Sequence, residues 1–188
     1  MLNAKTMLTN ISKGQSSIPL RYIISGLEAD YNNLKGSIRI AYVGNQNGKT
    51  MVYFKVPSGS VRNFYYDCIF EFDNSGTDNI KADTNFKVYC NSPSFYFRFA
   101  NIFKRYGSLL YPEKYPSFLD IPAEVRNASQ VTGFDKYVYA CLRIVTQMSL
   151  SDLDEKKESQ NAPRVSTFAE KQAEYKRAKG DQNQSSQD

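Results

Sequence analysis

FKVYCNSPSFYFRFANIFKR, residues 86–105, reads as a strand, a tight turn and an aromatic helix, and the rest of the chain is organised around it. Phe86, Val88 and Cys90 alternate with Lys87 and Tyr89, the two-residue period of a half-buried strand. Ser92 followed by Pro93 is the pattern of an N-cap with proline in the first helical position, where a missing N–H costs nothing. Phe95, Phe99, Ile102 and Phe103 then share one helical face, and Gly107 ends the helix.

Upstream, residues 37–43 (SIRIAYV) and 50–56 (TMVYFKV) alternate as strands. The Asn47-Gly48 pair between them suits a positive-φ hairpin turn. Residues 64–73 (FYYDCIFEFD) make a further strand with Cys68 at its middle, and residues 74–85 form a polar turn back to Phe86. IPLRYIIS, from Ile18, is short, apolar and β-branched, which predicts another strand broken by Gly26. LEADYNNLKG after it reads as a helical turn or a loop.

Downstream, residues 108–133 carry Pro112, Pro116 and Pro122. Leu109, Leu110, Tyr111, Tyr115, Phe118 and Leu119 predict a long connection packed by its own side chains. Phe134, Tyr137, Val138, Cys141, Leu142 and Val145 lie on one stripe of a second helix. Its expected partner is the aromatic face of the first helix. The fold class is therefore α+β: a small antiparallel sheet of four to five strands in a meander, packed against two helices.

The organisation falls into three parts. Residues 1–17 form an N-terminal arm, 18–149 the α+β core domain, and 150–188 a charged linker with a C-terminal helix and tail. Thr167 and Glu170 have capping-box spacing for that helix, which Gly180 is expected to end. With so few apolar side chains the helix is either a free tail or one that orders by docking.

Residues 1–150 hold 17 basic and 11 acidic side chains, so the folded part is the basic part. The surplus is spread along the chain without a Lys/Arg block. No run of apolar residues is long enough for a membrane span and no secretory leader is evident. Cys68, Cys90 and Cys141 are an odd number with no CxxC spacing, as in a chain kept in a reducing cytoplasm, and read as buried small hydrophobes.

The chain contains no histidine, which excludes imidazole acid–base catalysis, Ser-His-Asp and Cys-His nucleophilic pairs, and histidine metal ligands. Neither GxxxxGK[ST] nor GxGxxG occurs. Acid pairs such as Asp152 with Asp154 sit in a solvated charged run. No catalytic residue is assigned, and the expectation is a protein that is not an enzyme.

The strand–turn–helix around Cys90, followed by GFDKYVYACLRIV, is similar to the SWIM-type zinc-binding pattern of tailed-phage proteins. That pattern runs CxCP, an aromatic helix, a proline-rich connection, Arg-Asn, and CxH at the start of a second helix. Cys90 stands at the first ligand position, Pro93 at the proline, and Arg126 and Asn127 at the Arg-Asn. Ser92, Asp135 and Tyr137 occupy the other three ligand positions. A structural zinc needs about four Cys or His ligands, so the expectation is no zinc and no other cofactor. Packing of Phe95, Phe99, Tyr137 and Val138, with hydrogen bonds among Ser92, Asp135 and Tyr137, is expected to hold the helices instead.

The resemblance implies a structural component of a tailed-phage virion, in the neck, tail or baseplate, made in the host cytoplasm. Its partners would be other virion proteins in a multi-subunit assembly, with no membrane partner. The alternative is a nucleic-acid-binding accessory protein, using Arg98, Lys104 and Arg105 with exposed tyrosines. The 14 tyrosines suit both.

Overall fold

The computed structural model describes residues 2–3, 20–73, 78–81, 83–115 and 135–184. Its centre is an antiparallel sheet of strands β1 (Leu2–Asn3), β2 (Arg39–Gln46), β3 (Lys49–Pro57), β4 (Tyr65–Phe72) and β5 (Asn85–Cys90). The spatial order is β1-β5-β4-β3-β2, so β2 to β5 form the expected meander. Of the arm, only Leu2–Asn3 is described, paired with Phe86 and Asn85. The rest of the arm, the tail 185–188 and residues 116–134 lie outside the described residues, and with them Phe118, Leu119, Arg126, Asn127 and Phe134.

The hairpin forms for the reason its sequence gives. Asn47 and Gly48 have φ of 53° and 77°, the doubly positive turn whose twist matches that of the flanking strands. Asn45 accepts the Gly48 N–H through its side chain at 3.1 Å. β4, at the sheet's centre, is covered on both faces: Cys68, Phe70 and Phe72 are fully buried on one, and Ile69 is 1% exposed on the other.

Among the described residues, five helices or helical pairs surround the sheet. The first, α1 (Leu20–Leu34), stands where a strand was expected at IPLRYIIS, and it runs straight through Gly26. Leu20, Ile23, Ile24, Leu27, Tyr31 and Leu34 repeat at the helical period. That repeat outweighs the β-branched pair and the cost of about 1 kcal/mol for a mid-helix glycine.

The quoted stretch gives α2 (Pro93–Arg98) and α3 (Ala100–Arg105), separated at Phe99. Ser92 caps α2, as expected, accepting the Phe95 N–H at 3.2 Å. The Phe99 and Phe103 amides still reach back four residues, so the pair acts as one rod. Gly107, with φ 64°, closes it. Phe95, Phe99 and Phe103 are at most 1% exposed, and each is worth about 1.5–3 kcal/mol in apolar burial.

The second expected helix is α4 (Lys136–Gln147). It lies on the sheet, with Tyr137 5.5 Å from Tyr66, but the helix packed alongside it is α1 rather than α2. The aromatic face of α2–α3 turns onto the sheet, Phe103 meeting Phe86 at 6.5 Å and Phe95 at 5.3 Å. Polar contacts tie α4 to α1: Arg143 to Glu28 at 3.5 Å, and the Tyr31 hydroxyl to Gln147 at 2.7 Å. α4 is thus enclosed on both sides, which a single-stripe reading missed.

The charged run after Met148 is not the linker its composition suggested. It holds α5 (Leu150–Glu155), started by a Ser149/Asp152 capping box and pinned by fully buried Leu153. Glu158 and Ser159 then donate their amides to Ile40 and Ala41 on the outer rim of β2. At the opposite rim Val88 exchanges main-chain bonds with Ser108 and Leu110. In the described part of the connection Leu109, Leu110 and Tyr115 are buried, Tyr115 against Tyr89 and Tyr96.

The last helix, α6 (Phe168–Gln184), passes Gly180, where it was expected to stop. Its Thr167/Glu170 capping box is present, with bonds of 2.7 and 3.2 Å. The helix docks on its own domain: Phe168 on Tyr96, and Tyr175 5.3 Å from Phe64. Among the described residues no helix is long and apolar enough to cross a membrane.

Candidate functional site

The four ligand positions of the zinc-like pattern, Cys90, Ser92, Asp135 and Tyr137, meet at one junction, between the end of β5 and the starts of α2 and α4. Cys90 donates its thiol to Ser92 Oγ at 3.4 Å. Asp135, 1% exposed, caps α4 by accepting the Tyr137 and Val138 amides at 3.0 and 2.9 Å. Ser92 and Asp135 therefore each satisfy orphan N–H groups of a helix start. Of the hydrogen bonds expected among Ser92, Asp135 and Tyr137, the one from the Tyr137 main chain to Asp135 is present, while Ser92 serves the start of α2 and the Cys90 thiol.

Cys68 and Cys141 complete the junction. All three cysteines are free and buried. Burial pushes each thiol up, and Cys68 hydrogen-bonds to both of the others. Protonated, desolvated thiols are poor nucleophiles. Burial also raises the Asp135 carboxyl, opposed by the Val138 amide, the Ser94 hydroxyl and the Tyr137 amide. The Ser92 hydroxyl and Asp135 Oδ1 are spent on capping, while Asp135 Oδ2 is buried without a hydrogen-bond partner among the described residues; one carboxylate oxygen beside buried thiols is not the set of about four Cys or His ligands that a structural zinc takes. Among the described residues no three Cys, Asp or Glu side chains are placed to hold a metal. The sequence does not join Cys68 to this group, because nothing local announces a contact between the middle of a strand and a distant helix.

A cleft of about 230 Å³ opens on the opposite face of the sheet, lined by Arg39, Lys55, Asn63, Tyr65, Glu158, Lys171 and Glu174. Its charges are paired. Arg39 lies 4.5 Å above the Tyr65 ring and 3.7 Å from Glu158, and Lys55 holds the carboxylate of Asp67. Lys171, 4% exposed, stands 2.8 Å from Glu174 and 3.9 Å from Asp67. None of these residues stood out from the sequence. Two signals were present: Asp67 is an acid inside an apolar strand, and Lys171 falls between Phe168 and Tyr175 on one helical stripe.

The third feature is a surface strip on α2–α3. Phe97 and Tyr106 are the large hydrophobic side chains most open to solvent among the described residues, 41% and 51% exposed. Arg98, Lys104 and Arg105, the expected nucleic-acid contacts, are exposed between them. The Arg98 guanidinium also lies 5.7 Å from the Phe99 ring. The structure thus keeps these three cations on one rod and flanks them with two aromatic rings.

Comparison with protein families, with curated proteins and with solved structures finds no match.

Proposed function

We propose that the protein is a non-enzymatic structural component of a tailed-phage virion, in the neck, tail or baseplate, acting through protein–protein contacts. The observation that carries the contact role is the α2–α3 strip, where Phe97 and Tyr106 stand exposed around Arg98, Lys104 and Arg105. Exposed aromatics and arginine are the side chains that dominate protein interfaces. The virion assignment rests on the zinc-like pattern, and it is supported by the convergence of Cys90, Ser92, Asp135 and Tyr137 at one junction. Two helix caps do there what a metal would otherwise do.

The test is mass spectrometry of purified virions together with the double variant F97A/Y106A. Recovery at fixed stoichiometry, with incorporation lost in a variant that keeps its thermal midpoint, is the expected result. Absence from the particle overturns the reading.

The same cations favour a second reading, an accessory protein on single-stranded nucleic acid with Tyr106 and Phe97 as stacking platforms. Reversing Lys104 and Arg105 to glutamate would then flatten the logarithmic salt dependence of binding by about 0.7 for each phosphate no longer neutralised. Binding that is unchanged by these reversals excludes it.

A further inference from the structure

Lys171, in the wall of the charged cleft, Asp67 beside it and Asn91 bonded to Asp67 are left unused by the proposed function. Asn91 is fully buried, and Asp67 and Lys171 are each 4% exposed. Asp67 grips the Asn91 carboxamide at both ends. Its backbone N–H donates to Asn91 Oδ1 at 2.8 Å, and its Oδ2 accepts from Asn91 Nδ2 at 2.7 Å. Lys171 Nζ stands 3.9 Å from that same Oδ2 and 2.8 Å from Glu174, with the Phe64 ring centred 5.3 Å away.

These are the parts of an acyl transfer: a desolvated amine, a carbonyl whose oxygen already has a backbone donor, and a carboxylate touching the leaving nitrogen. We propose that Lys171 and Asn91 join in an intramolecular isopeptide bond that welds α6 to the end of β5.

The step balances without a co-reactant. Lys171 passes a proton to Glu174, and its Nζ lone pair attacks Asn91 Cγ. The developing charge on Oδ1 is received by the Asp67 N–H. Asp67 Oδ2 relays a second proton from Nζ to Nδ2, the Cγ–Nδ2 bond breaks, and ammonia leaves through the cleft. Glu174, which is half exposed, returns its proton to solvent. One C–N bond forms, one breaks, and nothing is oxidised or reduced.

The surroundings favour the product. A buried cation becomes a neutral amide, and Lys55 continues to neutralise Asp67 after Lys171 has lost its charge. Lys55 also decides between the two acyl groups. Paired with it, the Asp67 carboxylate is a poor acceptor for an amine, which leaves Asn91 as the group attacked.

The test is the intact mass of the full-length chain. The expected value is about 17 Da below that of the sequence, one ammonia lost. Tryptic digestion should yield a branched peptide joining Asn91 to Lys171, and the variant K171R should return to full mass. An unmodified wild-type mass overturns the proposal without recourse to any variant. So does a deficit of about 17 Da that survives in K171R, which would mark cyclisation of Asn91 alone. A deficit of about 18 Da would move the bond to Asp67 and overturn the assignment to Asn91.

Discussion

The ring of Phe168 lies flat on that of Tyr96, with centroids 3.4 Å apart and planes within 9° of parallel, so the first turn of α6 is seated on the helix that follows β5. α6 has little amphipathic character, and its hold depends on a few positions: Phe168, Lys171 and Tyr175. F168A should cost about 1–3 kcal/mol, below the full value for a core phenylalanine because the ring is half buried. Hydrogen exchange should show α6 losing protection ahead of the sheet. Uniform loss across both would mean the helix is not a separately anchored element.

Asp135 supplies a pH prediction. Burial raises its carboxyl above the ordinary 3.8, so the unfolded chain ionises first as pH climbs. In that window the folded state binds more protons, and stability falls with rising pH until the folded carboxyl has also ionised. Asparagine caps equally well and carries no charge. D135N should therefore be at least as stable as the parent at neutral pH, with any advantage fading as pH drops toward 3.8. A variant that is less stable at neutral pH, tracked by thermal unfolding, would show that the charge itself is needed.

Gly44 is required by its neighbour Tyr42. A β-carbon there would come 2.0 Å from Tyr42 Oη, so the ring lies over the bare glycine while meeting Tyr53 edge-on at 5.5 Å. G44A should destabilise by about 1 kcal/mol, the scale of one lost cross-strand aromatic pair. In a double-mutant cycle with Y42A the two costs should fall short of additive. Strict additivity would disprove the dependence.

Cys68, Cys90 and Cys141 should resist alkylation in the native protein at mildly alkaline pH and react together on denaturation, because burial holds all three as thiols. Mass spectrometry after iodoacetamide measures it. Fast labelling of any one in the folded state would show that the junction opens.

What the sequence made legible was local. The Asn47-Gly48 turn, the Ser92 cap before Pro93 and the Thr167/Glu170 box each sit within four residues and announce themselves. Ile23 and Ile24 beside Gly26 have the pattern of a broken strand over eight residues, and only the full fifteen of α1 carry the helical repeat. α5 was hidden for a similar reason: its one buried side chain, Leu153, sits inside an acidic run. The Asp67–Asn91–Lys171 grouping has no local signature, since β4, β5 and α6 meet there only through the sheet and the path of the C-terminal segment.

Glu158 and Ser159 along β2, and Ser108 and Leu110 beside the part of β5 that β1 does not reach, give both margins of the meander main-chain company from within the same molecule. A sheet finished in this way leaves less main chain open there as a template for strand growth. Contact at those two margins then falls to side chains, whose chemistry is specific where a bare main-chain edge is not.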